Sequence, residues 1–240
     1  MCAPASVWTS CSPEVSAVAK GFRLRVCFRK VGRLRYLSHL ETVRACERAA
    51  RRAGLPYAVS EGFTPRMKMA FGPALPVGTG GEREYYDVTL TRFVPPERVY
   101  EALTEVTGDD LAPVTCGYVS PGEASLASRL TIAEYDVTVE GGIPPEELER
   151  SFAALVRTGH LTIEHKGKPK VFDLAETLPK EPEVRSQEDA THARIWIRMG
   201  AQGSLRPDML VVAALGRDVP VTVIRTDLLI EDERGWRRPL

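Results

Sequence analysis

From Phe22 to Arg29 the chain alternates without a break, with Phe22, Leu24, Val26 and Phe28 on one side and Arg23, Arg25, Cys27 and Arg29 on the other. A period of two sends successive side chains to opposite faces of a strand. The stretch therefore reads as a half-buried strand, with one face on a core and three arginines on the opposite face. Such a strand commits the chain to a sheet whose apolar side has to be covered, and the run SHLETVRACERAARRAG supplies the cover. Ser38 and Glu41 stand at capping-box spacing and Gly54 provides a stop, so a helix is predicted between them. At about 100° per residue, Arg44, Arg48, Arg51 and Arg52 fall in one stripe, while Val43, Ala45, Cys46, Ala49, Ala50 and Ala53 fill the other side.

Downstream, the pattern predicts a strand in LPYAVS, a loop and strand in GFTPRMKMAFG, the turn PALPVGTGG and a strand in EYYDVTLTRF. A helix opened by Pro95 and Pro96 and a strand in LAPVTCGYV follow. The order β-α-β-β-α-β is that of a ferredoxin-like sandwich, with both helices on one sheet face and the other face open. A linker near SPGEAS divides the chain, and a similar order recurs in RLTIAEYDVTVEG, PPEELERSFAALVRTG, LTIEHK, KVFDLAETL, ARIWIRMG, RPDMLVVAALG and VTVIRTDLLI. The predicted fold class is α+β, two tandem ferredoxin-like sandwiches with antiparallel sheets, over residues 20–120 and 121–240 after a loose tail at 1–19. The charged segment from Lys180 to Asp189 reads as a loop and the tail DERGWRRPL as exposed.

With 240 residues, 43% of them hydrophobic, the chain is long and apolar enough for packed domains, which excludes a disordered or fibrous protein. The longest apolar run, Met209 to Leu215, is far short of the roughly 20 residues that cross a bilayer. The N-terminus lacks the basic-then-apolar order of a signal peptide. No membrane contact and a cytoplasmic location are expected. Cys2, Cys11, Cys27, Cys46 and Cys116 are odd in number and widely spaced, with no CxxC, so reduced thiols are expected and neither a zinc ribbon nor an iron–sulfur cluster is built from them.

Charge is balanced overall, at 32 basic and 32 acidic side chains, but unevenly placed: residues 20–70 carry thirteen lysines and arginines against Glu41, Glu47 and Glu61. A segment this cationic steers polyanions or an acidic partner, or else neutralises the acidic remainder of the molecule. The segment VSEGFTPRMKMAFGPALPVGTGG adds a rigid scaffold. Gly62, Phe63, Pro65, Gly72, Pro73, Pro76 and Gly78 frame Arg66 and Lys68, an arrangement suited to cradling an anion as well as to a plain covering turn. It lacks the GxxxxGK[ST] and GxGxxG spacings, so neither bound ATP nor NAD is predicted. Together with Arg23, Arg25, Arg35, Tyr36, His39 and the helix stripe, these residues form the candidate nucleic-acid or anion surface. His39, beside Arg35 and Tyr36, is the one catalytic candidate, as a general acid or base. His160, His165 and His192 are scattered and no metal site is expected. Asp87 is expected to pair across strands with an arginine such as Arg25. Arg194, Trp196 and Arg198 share a strand face, suiting base stacking or closure of an interface between the two domains.

Taken together, YLSHLE, RAARRAGLPYAVSEGFTPRMKMAFGPALPVG and EREYYDV resemble the radical SAM-linked protein family, a bacterial family of uncharacterised domains. The resemblance covers about residues 21–120 and rests on Tyr36, Ser38, His39, Gly62, Phe63, Pro65, Lys68, Phe71, Gly72, Pro73, Pro76, Gly78, Glu84, Tyr86 and Asp87. Glu61 and Thr64 stand where the family commonly has Gln and Asn. The resemblance implies a stand-alone member encoded beside a radical SAM protein, frequently near a ribonuclease E/G gene. S-adenosylmethionine and an iron–sulfur cluster are then implied only in that partner, with no cofactor in this chain. The expected function is an RNA-binding or substrate-presenting partner of a radical SAM enzyme acting on tRNA or rRNA. Two alternatives remain open: a metal-independent endoribonuclease using His39 with Arg66 or Lys68, and a protein-docking module that binds no nucleic acid.

Overall fold

A computed structural model describes residues 21–165, 167–187, 190–200 and 204–240. The expected N-terminal tail, Cys2 and Cys11 lie outside the described residues. The alternating stretch is strand β1, Phe22–Lys30. Helix α1, His39–Arg52, follows with its capping box formed: Ser38 Oγ accepts from the Glu41 amide, and Glu41 Oε2 accepts from the Ser38 amide at 2.8 Å. Gly54, at φ +65°, turns the chain out of the helix in a conformation that side-chain-bearing residues avoid. Then come β2 (Met69–Phe71), β3 (Gly80–Leu90), α2 (Pro96–Val106) and β4 (Pro113–Tyr118). LPYAVS forms no strand, only the single bridges Tyr57↔Leu90 and Val59↔Met67, because its proline and polar neighbours leave it little more than an edge.

The remaining elements are α3 (Leu126–Arg129), β5 (Ile132–Val139), α4 (Pro145–Arg157), β6 (His160–His165), β7 (Lys168–Asp173), α5 (Leu174–Thr177), β8 (Glu183–Gln187), β9 (Ala190–Arg198), α6 (Pro207–Leu215), β10 (Val221–Asp232) and β11 (Gly235–Arg237). Two expectations change here. The segment KVFDLAETL stops being a strand at Asp173, whose carboxylate caps α5 by accepting from the Ala175 amide at 2.9 Å. The charged stretch after Lys180 is not all loop: it contains β8, an edge strand that pairs with β9 despite its charges, and charged residues are what protect an edge from further pairing. The tail is exposed as expected except at Trp236 and Pro239, and it forms β11 against the end of β10, with Trp236 packed on Ile132, Trp196 and Leu229.

The molecule is a mixed α/β structure built on one large, mostly antiparallel sheet in the order β4-β1-β3-β10-β5-β9-β8, with β2 beside β3 and β11 beside β10. Residues 22–118 contribute strands in the order β4-β1-β3-β2, and residues 132–232 in the order β10-β5-β9-β8, all antiparallel within each set. The hairpin β6-β7 stands apart. Rather than two separate sheets, the sets are joined by a short parallel pairing, Ile224↔Gly80 and Arg225↔Gly81.

One core lies between α1, α2 and the sheet, with Leu24, Val26, Phe28, Tyr86, Val88 and Leu90 meeting Cys46, Ala50, Val99 and Leu103. A second lies between α4, α6 and β5, β9, β10. The face of β1 opposite α1, open in a plain ferredoxin-like sandwich, is closed. Arg25 and Cys27 are both 0% exposed, since Glu123 from the segment after β4 and Pro239 near the C-terminus reach over Arg25. Among the described residues no helix is long and apolar enough to cross a membrane.

Candidate nucleic-acid interface

Helix α1 buries Thr42, Cys46, Ala49 and Ala50 and turns Arg44, Arg48, Arg51 and Arg52 outward, all exposed. Small residues on the inner side allow close approach to the sheet, which leaves the arginines nothing to pack on. Arg51 pairs with Glu47 one turn back at 3.3 Å, a contact worth about 0.3–0.5 kcal/mol. Arg44, Arg48 and Arg52 make no ion pair or side-chain hydrogen bond among the described residues. Burial pushes the Cys46 thiol beneath them up to about 12, so at neutral pH it is an inert, uncharged wall.

At the start of α1, the Arg35 guanidinium donates to Tyr36 Oη at 2.7 Å and lies 4.9 Å from its ring centre. Tyr36 is exposed, as is His39, whose ring meets Phe71 edge-on at 5.8 Å. No carboxylate orients His39 among the described residues, and its neighbourhood offers packing rather than a proton relay. Arg66 and Lys68 are exposed too, on the segment leading into β2. The Lys68 amide donates to Ala58 O at 2.8 Å, which ties this segment to the chain leaving α1. Phe63 stands fully exposed at the tip of the intervening loop.

The other two predicted arginines lie on the far side of the sheet. Arg25 is a buried structural residue and not a contact for nucleic acid: its guanidinium makes a two-pronged pair with Asp87 at 2.7 and 3.0 Å, the cross-strand pairing expected of Asp87. Arg23 is partly exposed and donates to Glu123 O at 2.7 Å. The predicted set therefore divides into an α1 surface, a β2-edge surface and a closed far face. Trp196 closes no interface between the two sets of strands. It is buried within the second set, its Nε1 donating to Glu134 at 3.0 Å.

The junction between the two sets holds Lys30, Tyr135 and Arg225, which no sequence pattern marks, together with Glu84 and Pro73 of the motif segment. Register aligns Lys30, Gly81, Arg225, Tyr135 and Ile195 in one row across five strands, on the helix-bearing side. Arg225 is 2% exposed and donates to Glu84 at 2.8 Å through Nε, while its Nη2 also reaches Pro73 O at 2.6 Å. A side chain at position 81 would meet Glu84 Oε1 at 2.6 Å, so Gly81 is the gap through which Glu84 reaches Arg225. Lys30 is 2% exposed and donates to Arg35 O at 3.2 Å. Burial lowers its pKa, and Arg225 adds to that against the opposing pull of Glu84. For Arg225 the one available signal is that it interrupts the apolar face of VTVIRTDLLI, but a bulge between Arg225 and Asp227 hides the phase of that strand.

Beside this row a cavity of about 640 Å³ opens between the 73–79 segment, α3 and the start of α6. On the opposite sheet face, Asp136 pairs with His192 Nδ1 at 2.8 Å and with Arg185, in a ladder that continues with Arg194 and Glu134. No cluster of histidine, cysteine and carboxylate side chains among the described residues is placed to hold a metal.

Residues 23–207 match the model of a family described as an uncharacterized protein conserved in bacteria, DUF2344. No curated protein matches the chain. Among solved structures, a chain of the crystal structure of a Cbf5-Nop10-Gar1 complex is similar over 88% of this chain and 50% of its own length, at 14% identity and a TM-score of 0.46. The chain thus spans about half the length of that structural neighbour.

Proposed function

The chain belongs to the DUF2344 family of bacterial proteins, and we propose that it is an accessory RNA-binding subunit that presents tRNA or rRNA to a radical SAM enzyme. The observation that carries the RNA part is the outward face of α1, where Arg44, Arg48 and Arg52 are exposed without a carboxylate partner among the described residues. Cations held one or two turns apart on a rigid helix suit a phosphate backbone, whose charges repeat along the strand. The partner part rests on the motif resemblance of residues 21–120. In this reading S-adenosylmethionine and the iron–sulfur cluster belong to the partner, and the pair works in the cytoplasm. The matching strand orders β4-β1-β3-β2 and β10-β5-β9-β8 support reading the chain as two ferredoxin-like units, 20–120 and 121–240, fused edge to edge.

The test is fluorescence anisotropy with unfractionated tRNA over a salt series. Three phosphate contacts on single-stranded RNA lower log K by about 2 per tenfold rise in salt. Reversing Arg44, Arg48 and Arg52 to Glu is expected to abolish binding while circular dichroism stays unchanged. Equal affinity in the triple variant, or a salt-independent complex, overturns the RNA reading. Capture of the radical SAM protein without RNA moves the assignment to protein docking.

A further inference from the structure

The cavity at the junction is built for something the α1 surface does not supply. Its volume of about 640 Å³ lies within the roughly 300–1,000 Å³ of small-molecule pockets. Its walls are mixed: Pro73 and Pro76 on one side and Leu205 and Pro207 on the other give apolar faces, with the hydroxyls of Ser128 and Thr131 among them. Tyr135 and Arg225 form its floor. At its rim Arg206 donates to Asp208 at 3.0 Å.

Charge selects the ligand. Glu84 already matches Arg225, and Asp208 already matches Arg206. A phosphate entering here would find no uncompensated cation, and burying it beside Asp208 would be costly. A neutral, flat group suits the site. Proline and leucine faces pack against a ring, while the Arg206–Asp208 pair keeps spare N–H donors and carboxylate lone pairs side by side. That is the alternation of donor and acceptor along the edge of a nucleobase.

Position ties the cavity to α1. Pro73 and Ala74 belong both to its wall and to the crevice lined by Lys30, His39 and Thr42 at the start of that helix. We infer that the cavity receives one unpaired nucleobase of an RNA strand whose phosphates run along α1, an inference that rests on the RNA reading above. Phosphates stay outside on Arg44, Arg48 and Arg52, and the base turns inward past Pro73.

Two exposed wall residues, Ala74 and Ala127, permit filling from opposite sides with Ala74→Trp and Ala127→Trp. Differential scanning fluorimetry with each of the four ribonucleosides, which carry no phosphate, reads the cavity alone. At least one nucleoside is expected to raise the melting temperature of the unaltered protein in a concentration-dependent way. Neither filled variant should respond. Single-stranded RNA binding by anisotropy reads the coupling, with a roughly tenfold loss of affinity expected in each filled variant, the scale of one stacked base, and an unchanged salt slope.

If no nucleoside stabilises the unaltered protein, the inference is overturned whatever the RNA result. If nucleosides bind but filling leaves RNA affinity intact, insertion of a base is overturned. Nucleoside binding by a protein that retains no RNA overturns the RNA reading and leaves a free nucleoside as the ligand. Measuring each filled variant's own melting temperature and using two variants from separate walls distinguish occlusion from misfolding.

Discussion

Arg25 and Lys30 sit on the same strand and illustrate how burial changes what a cation does. Arg25 is 0% exposed and held by both oxygens of Asp87. Removing that charge leaves a buried guanidinium with the more exposed Glu123 as its one counter-charge beside the Pro239 carbonyl, so Asp87→Asn is expected to cost about 3 kcal/mol in urea unfolding. Lys30 has no ion pair of that quality, and burial lowers its pKa from the usual 10.5. The unfolded chain then holds the proton more tightly than the folded one. The resulting penalty on the fold is complete below the folded pKa and is relieved as pH rises from there toward the unfolded value. The stability of Lys30→Met relative to the unaltered protein should therefore decline as pH climbs through the alkaline range toward 10.5. A pH-independent difference in melting would contradict the lowered value.

Helix α1 is legible in the sequence alone, because its start, stop and two faces are local properties: Ser38 with Glu41, Gly54, and the alternation of small residues with arginines along the turn. Ser38→Ala removes the side-chain half of the capping box and should cost about 1 kcal/mol in thermal or urea melts. RNA affinity should change far less than in the arginine reversals, since the stripe begins a turn and a half further on. Elements whose existence depends on a neighbour are not legible in this way. Strand β8, EVRSQ, has a single apolar residue, Val184, which packs on the second core, and too little alternation to be read as a strand before β9 offers it an edge. LPYAVS has the composition of a strand but is bridged by single residues of β3 and the 67 region rather than laddered.

For the molecule as a whole, the decisive contact is the parallel joint between β3 and β10, sealed by the Glu84–Arg225 pair. Glu84→Gln leaves Arg225 buried without its counter-charge and is expected to destabilise by about 3–5 kcal/mol. Since one sheet spans both sets of strands, the loss should appear as a shift of a single cooperative urea transition. Two separated transitions would show that the joint does not couple them. The same joint creates the cavity, so the Glu84 substitution should also remove the nucleoside response.

Local sequence settles which segments become strands and helices wherever periodicity and capping suffice, and it places four arginines together on the outer face of α1. Which cations remain available is settled by packing between distant segments. Arg25 and Arg44 both stand opposite an apolar face in sequence, but the segment after β4 and the C-terminal residues close over Arg25 while nothing described packs on Arg44. Contacts between residues a hundred or more positions apart, such as Arg225 with Glu84, leave no periodic trace, because their cost and benefit are set by which strands meet at an edge.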